Sequence, residues 1–342
     1  MKKYLILLLI ASQSYLASAQ TDRAPYFTKS LASDGVKNVF LRTSGGSISV
    51  SGADGQPARI EVYVIGNNNQ NLSTDEIKKR LEEDYILDID VHDGELHATA
   101  KNRRNNMNWR RSLSIGFKVY VNKQTATNLT TSGGSINIDN LTGNQDFTTS
   151  GGSLNVNRIT GTIKGSTSGG SVNVRYSKPN IDLTTSGGSI TAANCEGNVR
   201  LSTSGGSLNL TQLKGNINAS TSGGSIHGSA ITGELITGTS GGSVNLDGIS
   251  GALDASTSGG SMDVEMVSVG KYVKLDSSSG HIDLQIPSDK GVDLDLRGDR
   301  VNLNTSGTFN GTKEKDKVVG KLNGGGSPVE VRGNSSVTLS AK

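Results

Sequence analysis

The pentapeptide Thr-Ser-Gly-Gly-Ser starts at Thr131, Thr149, Thr167, Thr185, Thr203, Thr221, Thr239 and Thr257, eight times at a strict interval of 18 residues. An earlier copy starts at Thr43. A weakened one, Ser-Ser-Ser-Gly-His, starts at Ser277, two residues late. Self-similarity at so short a period marks a solenoid, in which each unit buries its apolar side only against its neighbours.

Each unit is read by position, with Thr as zero. Position 5 is always apolar: Ile136, Leu154, Val172, Ile190, Leu208, Ile226, Val244 and Met262. Position 7 is mostly apolar, and position 6 between them is mostly Asn. This alternation is a short strand with one face inward. Position 10 is again apolar, position 12 is commonly Gly, and positions 14 and 16 begin a further strand. Thr at position zero is in phase with 14 and 16 and is expected to turn inward as a hydroxyl ladder. A flat outer rank of Thr, as an ice-binding face needs, is therefore not expected. The predicted fold is all-β: a parallel β-helix of 18-residue coils, about 4.8 Å per coil and ~38 Å over eight coils. Glycines are expected at its corners. A β-sandwich suits a fixed register less well.

Position 15 reads Asp146, Lys164, Asp182, Arg200. Alternating charge favours neighbouring coils in register and disfavours a slip by one coil. Cys195 stands at position 10, where other copies carry Leu or Ile, and reads as a small buried hydrophobe. One cysteine makes no internal disulfide.

The repeat is bracketed by different sequence. Residues 1–19 read as a secretory signal: Lys2 and Lys3, the apolar run Leu5–Ala11, then Ala17-Ser18-Ala19, with cleavage between Ala19 and Gln20. The run is too short to span a bilayer, which takes roughly 20 residues. No later transmembrane segment is expected. The protein is expected to cross the inner membrane and to act in the periplasm, at the cell surface or outside the cell.

Residues 20–57 carry the first strands and coil. Residues 58–122 read as an interrupting αβ module: a strand at 58–65, a helix capped by Ser73 and Glu76, a hairpin around Asp93-Gly94, and a strand at 113–121. Residues 123–276 hold the regular repeats. Residues 277–342 keep strand alternation without the period and read as degenerate coils and a cap, which a stack with open edges requires.

The Gly-Gly-Ser-Ile strands, the module ending in "FKVYVNKQTATNLTTSGGSI" and the tail "SGHIDLQIP" together resemble bacterial proteins described as "putative adhesins" with β-strand repeats. The resemblance covers nearly the whole chain after residue 19. It implies a secreted or cell-envelope β-helix. Where that family often has Ser-Gly-Asp, this chain has Gly-Gly-Ser and lacks the acidic column.

Chemistry is sparse. Setting aside Lys2 and Lys3, the net charge falls from +3 to +1, giving no global pull toward nucleic acid. His92, His97, His227 and His281 have no partner at metal-ligand spacing, and no metal or cofactor is expected. Strands, not helices, follow the glycines, which argues against a phosphate loop. The nine-residue period and Asp of a calcium roll are missing. Asp247 and Glu265, both at position 8 of adjacent coils, are the nearest thing to a catalytic carboxylate pair.

The strongest polar feature is "KNRRNNMNWRR", residues 101–111. Its Arg103, Arg104, Trp109, Arg110 and Arg111 could pair with and stack on an anionic or sugar surface. The resulting expectation is a non-enzymatic, adhesin-like binding or scaffold protein. Its partner would be a glycan, an anionic envelope polymer or another surface protein. A carbohydrate-active β-helix enzyme is the alternative.

Overall fold

The computed structural model describes residues 24–53, 55–67, 72–103 and 109–342. The leader 1–19 and the Ala19–Gln20 junction lie outside the described residues.

Apolar side chains at every second position of a short strand bury themselves only if the next coil supplies a matching strand. It does. Leu154–Asn157 pairs in parallel with Ile136–Asp139 on one side and Val172–Arg175 on the other, and each partner is eighteen residues away. A second parallel row runs beside this one, with Thr160–Thr167 between Gln145–Thr149 and Lys178–Thr185. The two rows continue through Met262–Ser277. The first row turns positions 5 and 7 inward. The second row turns positions 14 and 16 inward, as at Ile181 and Leu183, both 2% exposed or less. Burying each such Leu, Ile or Val contributes about 1.5–3 kcal/mol. The molecule is all-β with a solenoid-like stack, and Cys195 is 1% exposed in its core.

The corners differ from the sequence expectation. Thr149 is buried as expected, but its hydroxyl does not join a ladder of hydroxyls. Its Oγ1 donates to the Gly134 carbonyl of the preceding coil at 2.8 Å and accepts from its own coil's Gly152 N–H at 3.3 Å. The same pair of bonds recurs at Thr167, Thr185, Thr203, Thr221, Thr239 and Thr257. Nor is the second glycine of the motif there for a left-handed backbone. A Cβ at Gly152 would lie 2.1 Å from the Gly134 carbonyl oxygen, so glycine is required by the closeness of the coils. Positive φ falls instead at position 9, at Asn140, Arg158, Tyr176, Asn194, Gln212 and Ala230, with φ between 51° and 57°, and at the position-12 glycines Gly143, Gly161, Gly197, Gly215, Gly233 and Gly251, with φ between 112° and 137°, where glycine was expected.

Both ends are built out of sequence order. At the start, Asn38–Thr43 and Ile48–Gly52 stack on Ala126–Thr131 and Ile136–Asp139. The later strands Glu95–Asn102 and Leu113–Val121 stack outside them. Antiparallel strands then close the edge: Tyr85–His92 on one row, and Arg59–Gly66 with Phe27–Ser30 on the other. At the far end, Ser327–Gly333 and Ser336–Ala341 stack on Met262–Ser277 and Ile282–Ile286. The earlier strands Val292–Arg297 and Arg300–Thr305 lie outside. Val292–Arg297 continues antiparallel to Lys317–Leu322, which pairs in turn with Phe309–Lys313.

The helix runs Thr74–Asp84, and the Ser73 hydroxyl accepts from Glu76 N–H at 3.3 Å. Glu76 does not complete a capping box, because its carboxylate takes Arg80 at 2.6 Å. Leu81 is buried, and Tyr85 Oη accepts from Leu113 N–H at 2.6 Å, tying the helix end to the strand. The hairpin turn forms at Asp93 and Gly94, both with positive φ.

Candidate binding surface

The outward residues of each row form straight files. Asn137, Asn155 and Asn173 are direct partners across successive coils. The Asn155 amide donates to Asn137 Oδ1 at 2.8 Å, and Asn173 donates to Asn155 at 3.0 Å. A second amide file runs along the other row through Asn180, Asn198 and Asn216, at 3.1 and 3.2 Å. Each amide is thus held in one orientation by its neighbours, leaving a second proton and a lone pair outward. Beside this file, Asp146, Lys164, Asp182 and Arg200 are directly opposed. Further along the same row, Lys274 meets Asp254 at 3.7 Å.

The basic segment is divided. Arg111 is partly buried, and its guanidinium binds Glu83 at 2.7 Å and Asp84 at 3.1 Å. The hydrogen bond to Asp84 is the main cause that holds its pKa above the ordinary range. Arg111 therefore ties the short turn Trp109–Arg111 to the end of the helix. Arg103 is exposed, and its backbone N–H donates to the Asp84 carbonyl. Arg110 is exposed and already engaged in an interaction. Arg104 lies outside the described residues.

The histidines are more connected than their spacing suggests. His92 meets Asp90 at 3.0 Å, His97 meets Glu95 at 3.1 Å, and His97 stacks on Phe40 at 4.6 Å between ring centres. His281 corrects the expectation that no histidine has metal-ligand company. Asp263, His281 and Asp283 each bring a ligand atom within 4.8 Å of the others. Sequence spacing hides this group, because Asp263 reaches Asp283 only through strand pairing. The available signal was His replacing Ser in the weakened motif at Ser277. Asp247 and Glu265 line one open surface cavity of about 460 Å³ together with Asp263, Asp283 and Lys342. Cys195 is enclosed, and burial pushes its thiol pKa up, away from reactivity.

These features define an all-β, solenoid-like protein whose polar files face outward. Residues 181–336 match the Toastrack DUF4097 family, and the kinship read from the Gly-Gly-Ser-Ile strands and the Ser-Gly-His-Ile tail holds there. No curated protein matches the chain in sequence. Among solved structures, a "putative cell adhesion protein" from Clostridium sporogenes is 11% identical, covers 92% of this chain and 98% of its own, and has a TM-score of 0.19. A "putative lipid binding protein" from Parabacteroides distasonis is 12% identical, covers 93% and 97%, and has a TM-score of 0.31. A "putative adhesin" from Bacteroides fragilis is 12% identical, covers 92% and 96%, and has a TM-score of 0.27. Among the described residues, no helix is long and apolar enough to cross a membrane.

Proposed function

We propose that this chain is a secreted or cell-envelope adhesin-like protein. In this reading it is a parallel β-helix of 18-residue coils that presents a rigid, repetitive outer face and performs no catalysis. The observation that carries the proposal is the hydrogen-bonded amide file from Asn137 to Asn173, repeated on the second row. Identical donors and acceptors recur at coil spacing on a backbone that does not need to reorganise. A polymer with its own repeat would gain many weak contacts at once, at little ordering cost per contact.

Residues 20–57 then carry the first coil in chain order, 58–122 the interrupting module that stacks outside it, 123–276 the display face, and 277–342 the closing cap. The partner class is a glycan or anionic envelope polymer, or another surface protein. Arg103 and Arg110 are exposed on the insertion, while Arg111 holds its shape through Glu83 and Asp84.

The test is a glycan and cell-wall polymer array run beside a depolymerisation assay on the same polymers. Retention without released product supports the proposal. Product release overturns it in favour of a carbohydrate-active enzyme, and absence of retention on every polymer overturns the polymer-binding reading.

A further inference from the structure

We propose that Asp263, His281 and Asp283 form a binding site for one divalent transition-metal cation. Three observations place it. First, Asp263 and Asp283 are direct partners in a parallel ladder, so two like charges stand opposite each other on one face. Such a pair is destabilising unless something positive lies between them. Second, His281 occupies the place of the motif serine, two residues before Asp283. Its Nε2 lies 3.9 Å from Asp263 Oδ1 and 3.8 Å from Asp283 Oδ2. Both separations exceed a hydrogen bond. With all three ligand atoms within 4.8 Å of one another, a cation between them sits about 2.1–2.5 Å from each, the range of metal–nitrogen and metal–oxygen bonds. Third, the other ring nitrogen is held: Nδ1 lies 2.9 Å from Ser261 Oγ. When Nδ1–H donates to that hydroxyl, the Nε2 lone pair points at the carboxylates, the outer-shell arrangement that fixes a metal-binding tautomer.

The chemistry of the set selects the ion. One imidazole and two carboxylates suit zinc, manganese or iron(II) better than calcium, which prefers six or more oxygens. All three side chains are about half exposed, at 48%, 58% and 55%, so water completes the coordination and exchange is open. Asp263 and Asp283 open onto the 460 Å³ surface cavity, where Asp247 and Glu265 add negative potential and Lys342 opposes it.

The experiment is calorimetric titration of the metal-free full chain with zinc chloride near neutral pH, with calcium chloride as comparator. Wild type is expected to take up one equivalent of zinc and to melt at a higher temperature with it. His281→Gln and Asp263→Asn are expected to weaken zinc at least about tenfold, whereas Glu265→Gln in the same cavity stays within about threefold. Circular dichroism of each variant without metal confirms that it is folded. The proposal is overturned if wild type shows no saturable zinc uptake. It is also overturned if zinc binding survives the two substitutions, which would leave His281 as an ion-pair partner of the two aspartates.

Discussion

Gly152→Ala is the sharpest perturbation of this fold, and Gly151→Ala is its control. The two glycines are adjacent, both lie in the repeated motif, and sequence alone treats them alike. The structure does not. A methyl at Gly152 would stand 2.1 Å from the Gly134 oxygen, 2.3 Å from its carbonyl carbon and 2.5 Å from Ser135 N, all backbone atoms of the preceding coil. A methyl at Gly151 would meet nothing nearer than 3.6 Å.

Relieving the first clash means prising two coils apart, and overpacking of this kind costs about 1–3 kcal/mol. The displacement also stretches the 2.8 Å bond from Thr149 to the Gly134 carbonyl. A buried carbonyl left without its donor adds about 1–3 kcal/mol. The expected loss is therefore about 2–6 kcal/mol for Gly152→Ala. For Gly151→Ala the expectation is a small gain, up to about 1 kcal/mol, because alanine restricts the unfolded chain. Urea unfolding followed by circular dichroism reads both, with the denaturant slope compared to check that the same unit unfolds. If the two variants fall within about 1 kcal/mol of each other, the close approach of the coils is not what selects glycine.

Two further outcomes test the charges. Lys164→Glu places a third acid between Asp146 and Asp182 and is expected to lower stability by about 1–2 kcal/mol at low salt, shrinking at high salt. An unchanged melting temperature would count against the register. Burial pushes the Glu61 carboxyl up, but hydrogen bonds from Arg59 at 2.6 Å and Tyr63 at 2.8 Å outweigh it and hold the pKa below the ordinary range. A depressed carboxylate contributes stability above the ordinary carboxylate range, and loses it as pH falls through the folded-state value. Glu61→Gln should thus differ most from wild type at neutral pH and converge with it in acid. A gap that stays constant across an acid series of melts would refute this.

Much of the stack was legible because its cause is local and repeated. Positions 5, 7, 14 and 16 face inward as alternation requires, and the spacing of the motif matches the observed partners. The Ser73 cap and the Asp93-Gly94 turn were legible for the same reason. Position 9 was not, because five residue types at six positions share one left-handed backbone that the stack imposes rather than the residue. The layer order at each end was hidden too, since nothing periodic links Asn38–Thr43 to both Glu95–Asn102 and Ala126–Thr131. The basic segment looked like a ligand surface because sequence lists charges and not their partners. Arg111 was already spoken for by Glu83 and Asp84, which precede it by more than twenty residues.

The out-of-order layers have a mechanical consequence. A plain stack of coils unzips from its last turn, one ladder at a time. Here Ser327–Gly333 and Ser336–Ala341 are sandwiched, each with a parallel strand on both flanks. Tension applied past Ala341 cannot peel that layer away. It must shear two ladders together, so load is shared across the stack before any single coil yields.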